Sequence, residues 1–286
     1  MIGFRLFVAA VAMAMTLSSA AAWAQDAAKR EITKVAGDLY RFQNNFHFTV
    51  FLVTPEGVIL GDPINKDAAS WLKGEIEKRF GLPVKYVIYS HDHPDHSSGG
   101  EVFADSAIFV GHENTKSVMT GEKRPTAAPD VTFSDAMTIE LGGHKVNLIY
   151  PGKSHSDNLI VMHFPAERAV FTVDFISVKR VAYKTLGDSY FPDWIDAIKR
   201  TEEIDFDIVI PGHGPMGSKA DVRDHRSYLQ TIYDEVLAGV RAGKTLEEMQ
   251  ASIDLSEYSE WQQFEAWSPL NIEGVYRQIE MHRRGN

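Results

Sequence analysis

A dense group of metal-binding side chains occupies the segment His91–His96, which reads HDHPDH. Five of its six residues carry an imidazole or a carboxylate, and the apolar run Val84 to Tyr89 just before it predicts a buried strand. Imidazole nitrogen and carboxylate oxygen suit zinc, and also iron or manganese. Side chains so closely spaced in a tight loop cannot all point one way. The pattern therefore predicts that they divide between two metal ions.

Three later residues share the same context, because each follows a predicted strand. They are His155, Asp174 and His213, and each would be a weak signal if it stood alone. Together with the loop they complete a set of seven candidate metal ligands, five histidines and two aspartates. The set is His91, His93, Asp95, His96, His155, Asp174 and His213.

The amino-acid composition excludes several kinds of metal ligand and nucleophile. The chain has 286 residues and no cysteine, which excludes thiolate ligands, disulfides and a cysteine nucleophile. It carries 29 basic and 39 acidic side chains, a net charge of -10, and this argues against a nucleic-acid partner. There is no GxSxG motif of the serine hydrolases, so a metal-activated water fits the sequence better than a serine nucleophile.

The amino terminus has the pattern of a signal peptide. Arg5 precedes an apolar run from Leu6 to Leu17, and Ala22-Trp23-Ala24 has small residues at the positions of a cleavage site. The run is too short to span a bilayer comfortably. We predict that residues 1–24 are removed and that the mature protein is periplasmic or secreted and not embedded in the membrane.

The elements that must position the ligands form one α/β domain over residues 25–286. The sequence has two β-rich halves, each of which predicts a sheet with helices on its outer side. From about residue 218 onwards the chain is predicted to be helical. A turn at Gly142-Gly143 and a helix from Asp67 to Phe80, ended by Gly81, are the clearest local signals.

The HxHxDH loop and the later His, Asp and His, in this order, resemble the metallo-β-lactamase-fold superfamily of metallohydrolases over about Val35 to Met216. The resemblance implies a four-layer αββα sandwich. It also implies that Asp174 bridges two metals and that Asp62 orients the metal loop without binding a metal. The best-known zinc β-lactamases have a cysteine where this chain has Asp174. The remaining ligands would divide into a first set, His91, His93 and His155, and a second set, Asp95, His96 and His213.

The sequence thus predicts an exported hydrolase with two zinc ions per chain, iron or manganese being alternatives. It would use a metal-bound hydroxide to cleave an ester, a lactone or an amide, β-lactams included, in a small-molecule substrate. Asp95 would act as the catalytic proton carrier. Other functions compatible with the resemblance are a mononuclear iron enzyme of the persulfide-dioxygenase type, a phosphodiesterase, and a non-catalytic binding protein. The sequence leaves the substrate and the oligomeric state open.

Several residues outside the ligand set carry weaker expectations. His47 and Lys179 are candidate substrate contacts, with Arg180 as a second candidate cation for a substrate carboxylate. Trp261, Phe264 and Trp267 are interpreted as one helix face packed on the body of the protein, with a wall of the substrate pocket as the less favoured alternative. His225 is expected on a helix surface. Substrate-binding loops are predicted at residues 46–49, 120–130 and 179–191.

Overall fold

The first half of the chain forms a seven-stranded sheet in which the strands follow sequence order. The computed structural model of the protein describes residues 28–187, 189 and 191–282, so the predicted signal peptide lies outside the described residues. Strands β1 to β4 pair antiparallel, and β4 to β7 pair parallel. The strands are β1 (Arg30–Ala36), β2 (Leu39–Asn44), β3 (His47–Thr54), β4 (Gly57–Leu60), β5 (Val84–Ile88), β6 (Ile108–His112) and β7 (Val131–Phe133).

The second half forms a six-stranded sheet, ordered β13-β12-β11-β10-β9-β8. Its pairs are antiparallel except β11–β12, which is parallel. The strands are β8 (Ala136–Leu141), β9 (His144–Ile149), β10 (Val161–Phe164), β11 (Ala169–Val173), β12 (Ile208–Pro211) and β13 (Gly217–Ser218).

Helices connect the parallel strands and cover the outer faces of the sheets. Helix α1 begins after Asn65, whose side chain accepts the backbone N–H of Ala68, and ends at Gly81 in the left-handed conformation at φ 65°. The helices are α1 (Lys66–Phe80), α2 (Pro94–Ser97), α3 (Glu113–Gly121), α4 (Phe191–Glu202), α5 (Lys219–Arg241), α6 (Leu246–Ser252) and α7 (Phe264–His282), with short 3₁₀ turns at Gly100–Phe103 and Ser256–Tyr258.

The alternation of side chains along β3 shows how the layers are made. Val50 and Leu52 face the second sheet and belong to the large core between the sheets, whereas Phe51 faces outward to the side covered by α1. On the far side, Trp194 and Tyr228 of α4 and α5 join the same large core. The four-layer αββα sandwich with a helical C-terminal region is confirmed.

Two expectations about the C-terminal region were wrong. His225 is fully buried in α5, where its Nδ1 accepts the backbone N–H of Ser177 at 2.8 Å, so it is not a surface residue. Trp261 lies before α7 begins and therefore shares no helix face with Phe264 and Trp267. Among the described residues, no helix has both the length and the apolar character needed to cross a bilayer.

Candidate metal centre

All seven candidate ligands lie at one edge of the two sheets, where strands end. The segment His91–His96 follows β5, and His155 lies in the connection between β9 and β10. Asp174 comes directly after β11, and His213 follows its parallel neighbour β12. Because parallel strands end at the same edge of a sheet, residues far apart in sequence meet there.

Four of these side chains form a first group around one point: His91, His93, His155 and Asp174. The Nε2 atoms of His91 and His155 each lie 3.7 Å from Oδ2 of Asp174. Nδ1 of His93 lies 3.1 Å from Nε2 of His155. One ligand atom from each residue therefore faces a common centre, with all four within 4.8 Å of one another.

A second group shares Asp174 with the first and adds Asp95, His96 and His213. The Nε2 atoms of His96 and His213 both lie 3.3 Å from Oδ1 of Asp174, and 3.3 Å from each other. Each is also 3.8 Å from Oδ2 of Asp95. The two oxygens of Asp174 thus face different groups, Oδ2 the first and Oδ1 the second.

The polar atoms of this cluster fit divalent cations. His91 Nε2 and Asp174 Oδ1 are buried and have no hydrogen-bond partner among the described residues, a costly arrangement for buried polar atoms. In each group, three histidine or aspartate side chains and Asp174 direct one ligand atom to a common point, the arrangement in which proteins bind a divalent cation. The donors are nitrogen and oxygen only, which suits zinc, iron or manganese.

Asp62 lies behind the first group, at the end of β4, and is fully buried. Its Oδ1 accepts the backbone N–H of Ser90 at 2.7 Å and its Oδ2 accepts the Ser90 hydroxyl at 2.6 Å. The same hydroxyl lies 2.9 Å from Nδ1 of His91. Oδ2 of Asp62 is also 3.5 Å from Nδ1 of His96. These contacts fix both imidazole rings so that their Nε2 atoms face the centre.

The loop that carries His213 is held by the hairpin formed by β2 and β3. His213 Nδ1 donates to the carbonyl of Phe46 at 2.8 Å, which directs its Nε2 to the second group. The buried guanidinium of Arg41 donates to the carbonyls of Pro211 at 3.2 Å and Gly214 at 2.6 Å, one on each side of His213. Gly212 leaves no room for a side chain, because a Cβ there would lie 2.8 Å from Oδ1 of Asp174.

Backbone strain adjoins Asp174. Val173 is a β-branched residue with φ 43°, in the left-handed region that such residues avoid, and the register of β11 against β12 shifts at this point. Conformations of this kind cost about 1–3 kcal/mol and persist where the surroundings enforce them. The turn at Val173 brings the Asp174 carboxylate between the two groups.

The charges of the cluster perturb one another. Burial alone would raise the pKa of Asp174, but the neighbouring His96 and His213 hold it well below its usual range. Burial opposes the charged form of His96, yet the Asp174 and Asp62 carboxylates outweigh this and raise its pKa. At His91 burial dominates and lowers the pKa, despite Asp174. The cluster thus keeps Asp174 ionised, as a metal ligand must be.

A cavity of about 680 Å³ opens over both groups. His47 lines it and also lies 3.3 Å from Oδ2 of Asp95 through its Nε2. Lys179 is engaged elsewhere, since its ammonium pairs with Asp224 and Asp221 of α5. The neighbouring Arg180 lines the cavity instead.

Trp267 of α7 serves both of the roles that the sequence allowed. It packs against the large core, as expected, and it also lines the cavity together with Tyr183. The lining also draws on two of the predicted substrate-binding loops, 46–49 and 179–191. In the third predicted loop, 120–130, Arg124 forms an ion pair with the Asp92 carboxylate at 2.9 Å and thereby stabilises the metal loop. No local signal distinguishes Trp267 from a core tryptophan, because its role depends on where α7 docks.

Comparison with known proteins agrees with this fold and cluster. A sequence model of the metallo-beta-lactamase superfamily matches residues 37–213, and the chain belongs to this superfamily. Metallo-beta-lactamase type 2 of Elizabethkingia meningoseptica is 27% identical over 219 residues, covering 71% of this chain and 86% of that protein. The 2,4-dinitroanisole O-demethylase subunit alpha of Nocardioides sp. (strain JS1661) is 27% identical over 235 residues, covering 80% and 69%. The structure of a metallo-beta-lactamase from Pontibacter korlensis superposes with a TM-score of 0.64 at 26% identity, covering 71% of this chain and 99% of that one.

Proposed function

We propose that this protein is an exported hydrolase that holds two zinc ions and cleaves an ester, a lactone or an amide, β-lactams included. The observation that carries the proposal is the pair of donor groups that share Asp174 and open onto one cavity. Two ions held so close together can act on one substrate bond. A cavity of about 680 Å³ is of the size that takes small molecules.

Each residue of the cluster has a role in this proposal. His91, His93 and His155 would hold one ion, Asp95, His96 and His213 the other, and Asp174 would bind both. A zinc pair supplies Lewis acidity and a water of lowered pKa. The chain supplies the geometry, because Asp62 and Arg41 fix the rings and the loop that carry the nitrogens.

Asp95 is the candidate proton carrier. Its carboxylate is 47% exposed to the cavity, in contrast to the buried Asp174, so it can reach a substrate. His47 holds it from the side and keeps Oδ2 directed at the second group. The Asp95 carboxylate can accept a proton at an oxygen and return it to the leaving atom.

Arg180 is the candidate anchor for an anionic substrate group. Burial lowers the pKa of its guanidinium, and the Asp174 carboxylate offsets this only in part. The cation lies over the ring of Trp267, at 4.9 Å from its centroid. A substrate carboxylate would supply the counter-charge that a half-buried guanidinium favours.

Metal analysis combined with a substrate panel tests the proposal. The full chain, purified without chelator, should contain close to two zinc ions, and it should hydrolyse at least one of an ester, a lactone, a β-lactam or a thioester. An aryl methyl ether belongs in the panel because one relative is named as an O-demethylase. A single tightly held iron without zinc would favour the persulfide-dioxygenase alternative. Activity on a phosphodiester, tested beside the panel, with none on the panel itself would favour the phosphodiesterase. Two zinc ions with no turnover of any panel member would favour a binding protein.

Export rests on residues 1–24. Mass spectrometry of the periplasmic or secreted fraction should find a mature chain that begins at about Gln25. Recovery of the protein only as the intact Met1 form in the membrane fraction would contradict cleavage.

A further inference from the structure

The C-terminal helix α7 supports one side of the cavity. This side is formed by the segment 180–187, which lies between the metal-bearing edge of the second sheet and α4 and has no helix or strand. Two of these residues, Lys184 and Leu186, have left-handed backbone angles, at φ 46° and 56°. A segment with such angles needs external support to keep one conformation.

Asn271 of α7 provides that support through its buried side-chain amide. The NH₂ group donates to the carbonyls of Ala182, at 3.0 Å, and Lys184, at 2.6 Å. The amide oxygen accepts the hydroxyl of Tyr228 in α5, at 2.7 Å. Both donors and the oxygen of Asn271 are thus used, and the two carbonyls, which can only accept, fix which end of the amide faces the segment.

Two further residues on the same face of α7 extend the contact. At Gly274 the helix lies so close that a Cβ would be 2.1 Å from the carbonyl oxygen of Thr185. One turn later, Gln278 donates to the carbonyl of Leu186 at 2.9 Å. The face therefore contacts the backbone of the segment at four points, Ala182, Lys184, Thr185 and Leu186.

The side chains that result form a surface, which we call the α7 wall: Arg180, Tyr183 and Trp267. The Tyr183 and Trp267 rings meet edge to face, with 5.1 Å between centroids, and the Arg180 cation lies over Trp267. Tyr183 remains 56% exposed at the mouth of the cavity. The wall thus offers aromatic surface next to one positive charge.

We propose that α7 determines the substrate specificity of this site: Asn271 is the positioning residue, and the α7 wall binds a flat apolar group next to a negative charge. The residues of α7 that form these contacts all lie after residues 37–213, the region that the superfamily model matches. They are Trp267, Asn271, Gly274 and Gln278. The specificity claim rests on the proposed hydrolase function, but the binding surface and its support do not.

The test compares Asn271→Leu with a matched control, Gln250→Leu. Gln250 also donates to α7, to the carbonyl of Pro269 at 2.9 Å, but this hydrogen bond is exposed and does not involve the segment. The first measurement is tryptic cleavage after Lys184 in the zinc-loaded full chain. Asn271→Leu should raise its rate about tenfold, because cleavage follows the open population, while Gln250→Leu should leave it unchanged. Equal rates in both variants and the wild type would overturn the positioning role.

The second measurement is binding, which needs no turnover. Benzenesulfonate has a flat ring next to a charge, and methanesulfonate has the same charge without the ring. The dissociation constant for benzenesulfonate should rise about tenfold in Asn271→Leu, with less change for methanesulfonate and unchanged zinc content. Trp267→Leu leaves the Asn271 contacts in place and should weaken benzenesulfonate binding to the same extent. If Asn271→Leu does not fold, the binding test of the α7 wall rests on this variant. Unchanged benzenesulfonate binding in a folded variant would overturn the α7 wall.

Kinetics complete the test on an ester that the wild type hydrolyses. For 4-acetoxybenzoate, Asn271→Leu should raise KM about tenfold and leave kcat near its wild-type value, since the metal ligands are not altered. A fall in kcat with unchanged KM would contradict a role in specificity. If the wild type hydrolyses no member of the substrate panel while benzenesulfonate binds as expected, the hydrolase proposal fails and the α7 wall stands.

Discussion

Asp95 is the metal-ligand candidate whose chemistry extends beyond holding a cation, because it is the one carboxylate of the cluster that is half exposed to the cavity. Asn keeps its size and one oxygen but loses the charge and is a far poorer base. Asp95→Asn should therefore lower kcat about 100-fold or more on any substrate that the panel identifies, even at full zinc occupancy. Steady-state kinetics with metal content measured on the same samples checks this. Near-normal turnover in the zinc-replete variant would remove Asp95 from proton transfer.

His225 is a buried residue that contributes to the stability of the fold. Burial lowers its pKa to about 3, so the folded protein keeps it neutral. His225→Leu leaves the buried N–H of Ser177 without its acceptor and should cost about 2 kcal/mol of unfolding free energy at pH 7. The folded pKa lies below the unfolded value of about 6.5, so the contribution of His225 is present above that pH and declines as pH falls. Urea unfolding of metal-stripped protein should show the gap between variant and wild type shrink by about 2 kcal/mol between pH 6.5 and 5. A gap that does not change with pH would contradict a neutral buried histidine.

The sequence predicted the residues of the cluster and, through the resemblance, the supporting Asp62, but it did not predict the supports given by Arg41 and Arg124. His91 to His96, His155, Asp174 and His213 could be selected because each follows a strand-like run. The structure brings all of them together. By contrast, the burial of His225 and the placement of Trp267 depend on where α5 and α7 pack, and this long-range information is absent from local spacing. Arg180 lines the cavity and Lys179 does not, and local spacing could not show this either, because the acidic partners that hold Lys179 come from α5.

The hairpin of β2 and β3 is the element that governs the second group. It contributes His47, the Phe46 carbonyl that orients His213, and Arg41 under the loop. Arg41→Met keeps a long apolar side chain against Phe48 but loses both hydrogen bonds to the loop. One of the two proposed zinc ions should then bind about 10–100-fold more weakly, as is typical when the partners of metal ligands are lost. Zinc counted after competition with a graded chelator measures this.

The control for Arg41→Met is Arg168→Met. Arg168 is an exposed arginine paired with Asp205 and Asp207. This variant should release zinc as the wild type does. Loss of both ions at equal chelator concentrations in Arg41→Met would show that the hairpin does not act on the second group alone.

Among the elements, helix α1 and the strand before the metal loop were predicted closely, because their signals are local. The sequence marks α1 by Asp67 to Phe80 and Gly81, and the structure has it at Lys66–Phe80. The short strand β7 was missed, as its three residues carry too little pattern, and its pairing with β6 is long-range.

At the scale of the molecule, the candidate centre joins the two sheets, because its donors come from loops of both. Ions bound only by the folded chain stabilise it in proportion to their affinity, by about 4 kcal/mol at a thousand times the dissociation constant. Removal of metal by a chelator should lower Tm by several degrees, and zinc should restore it while magnesium should not. Scanning calorimetry with and without added zinc makes the comparison. An unchanged Tm in a sample proven to lose its metal would show that the centre does not bind the sheets together.

The nitrogen and oxygen donors of this centre also determine how the protein tolerates oxidants. A thiolate ligand can be converted by peroxide to a sulfenic or sulfinic acid and lost, but a chain with no cysteine has no such residue to lose. Its sulfur is confined to nine methionines. Within residues 28–282, the most exposed methionines that the structure describes are Met216 and Met281, at 38% and 53%, and they would be oxidised before the buried ones. Oxidative damage would therefore begin on the surface of the molecule and leave the imidazoles and carboxylates of the centre chemically intact.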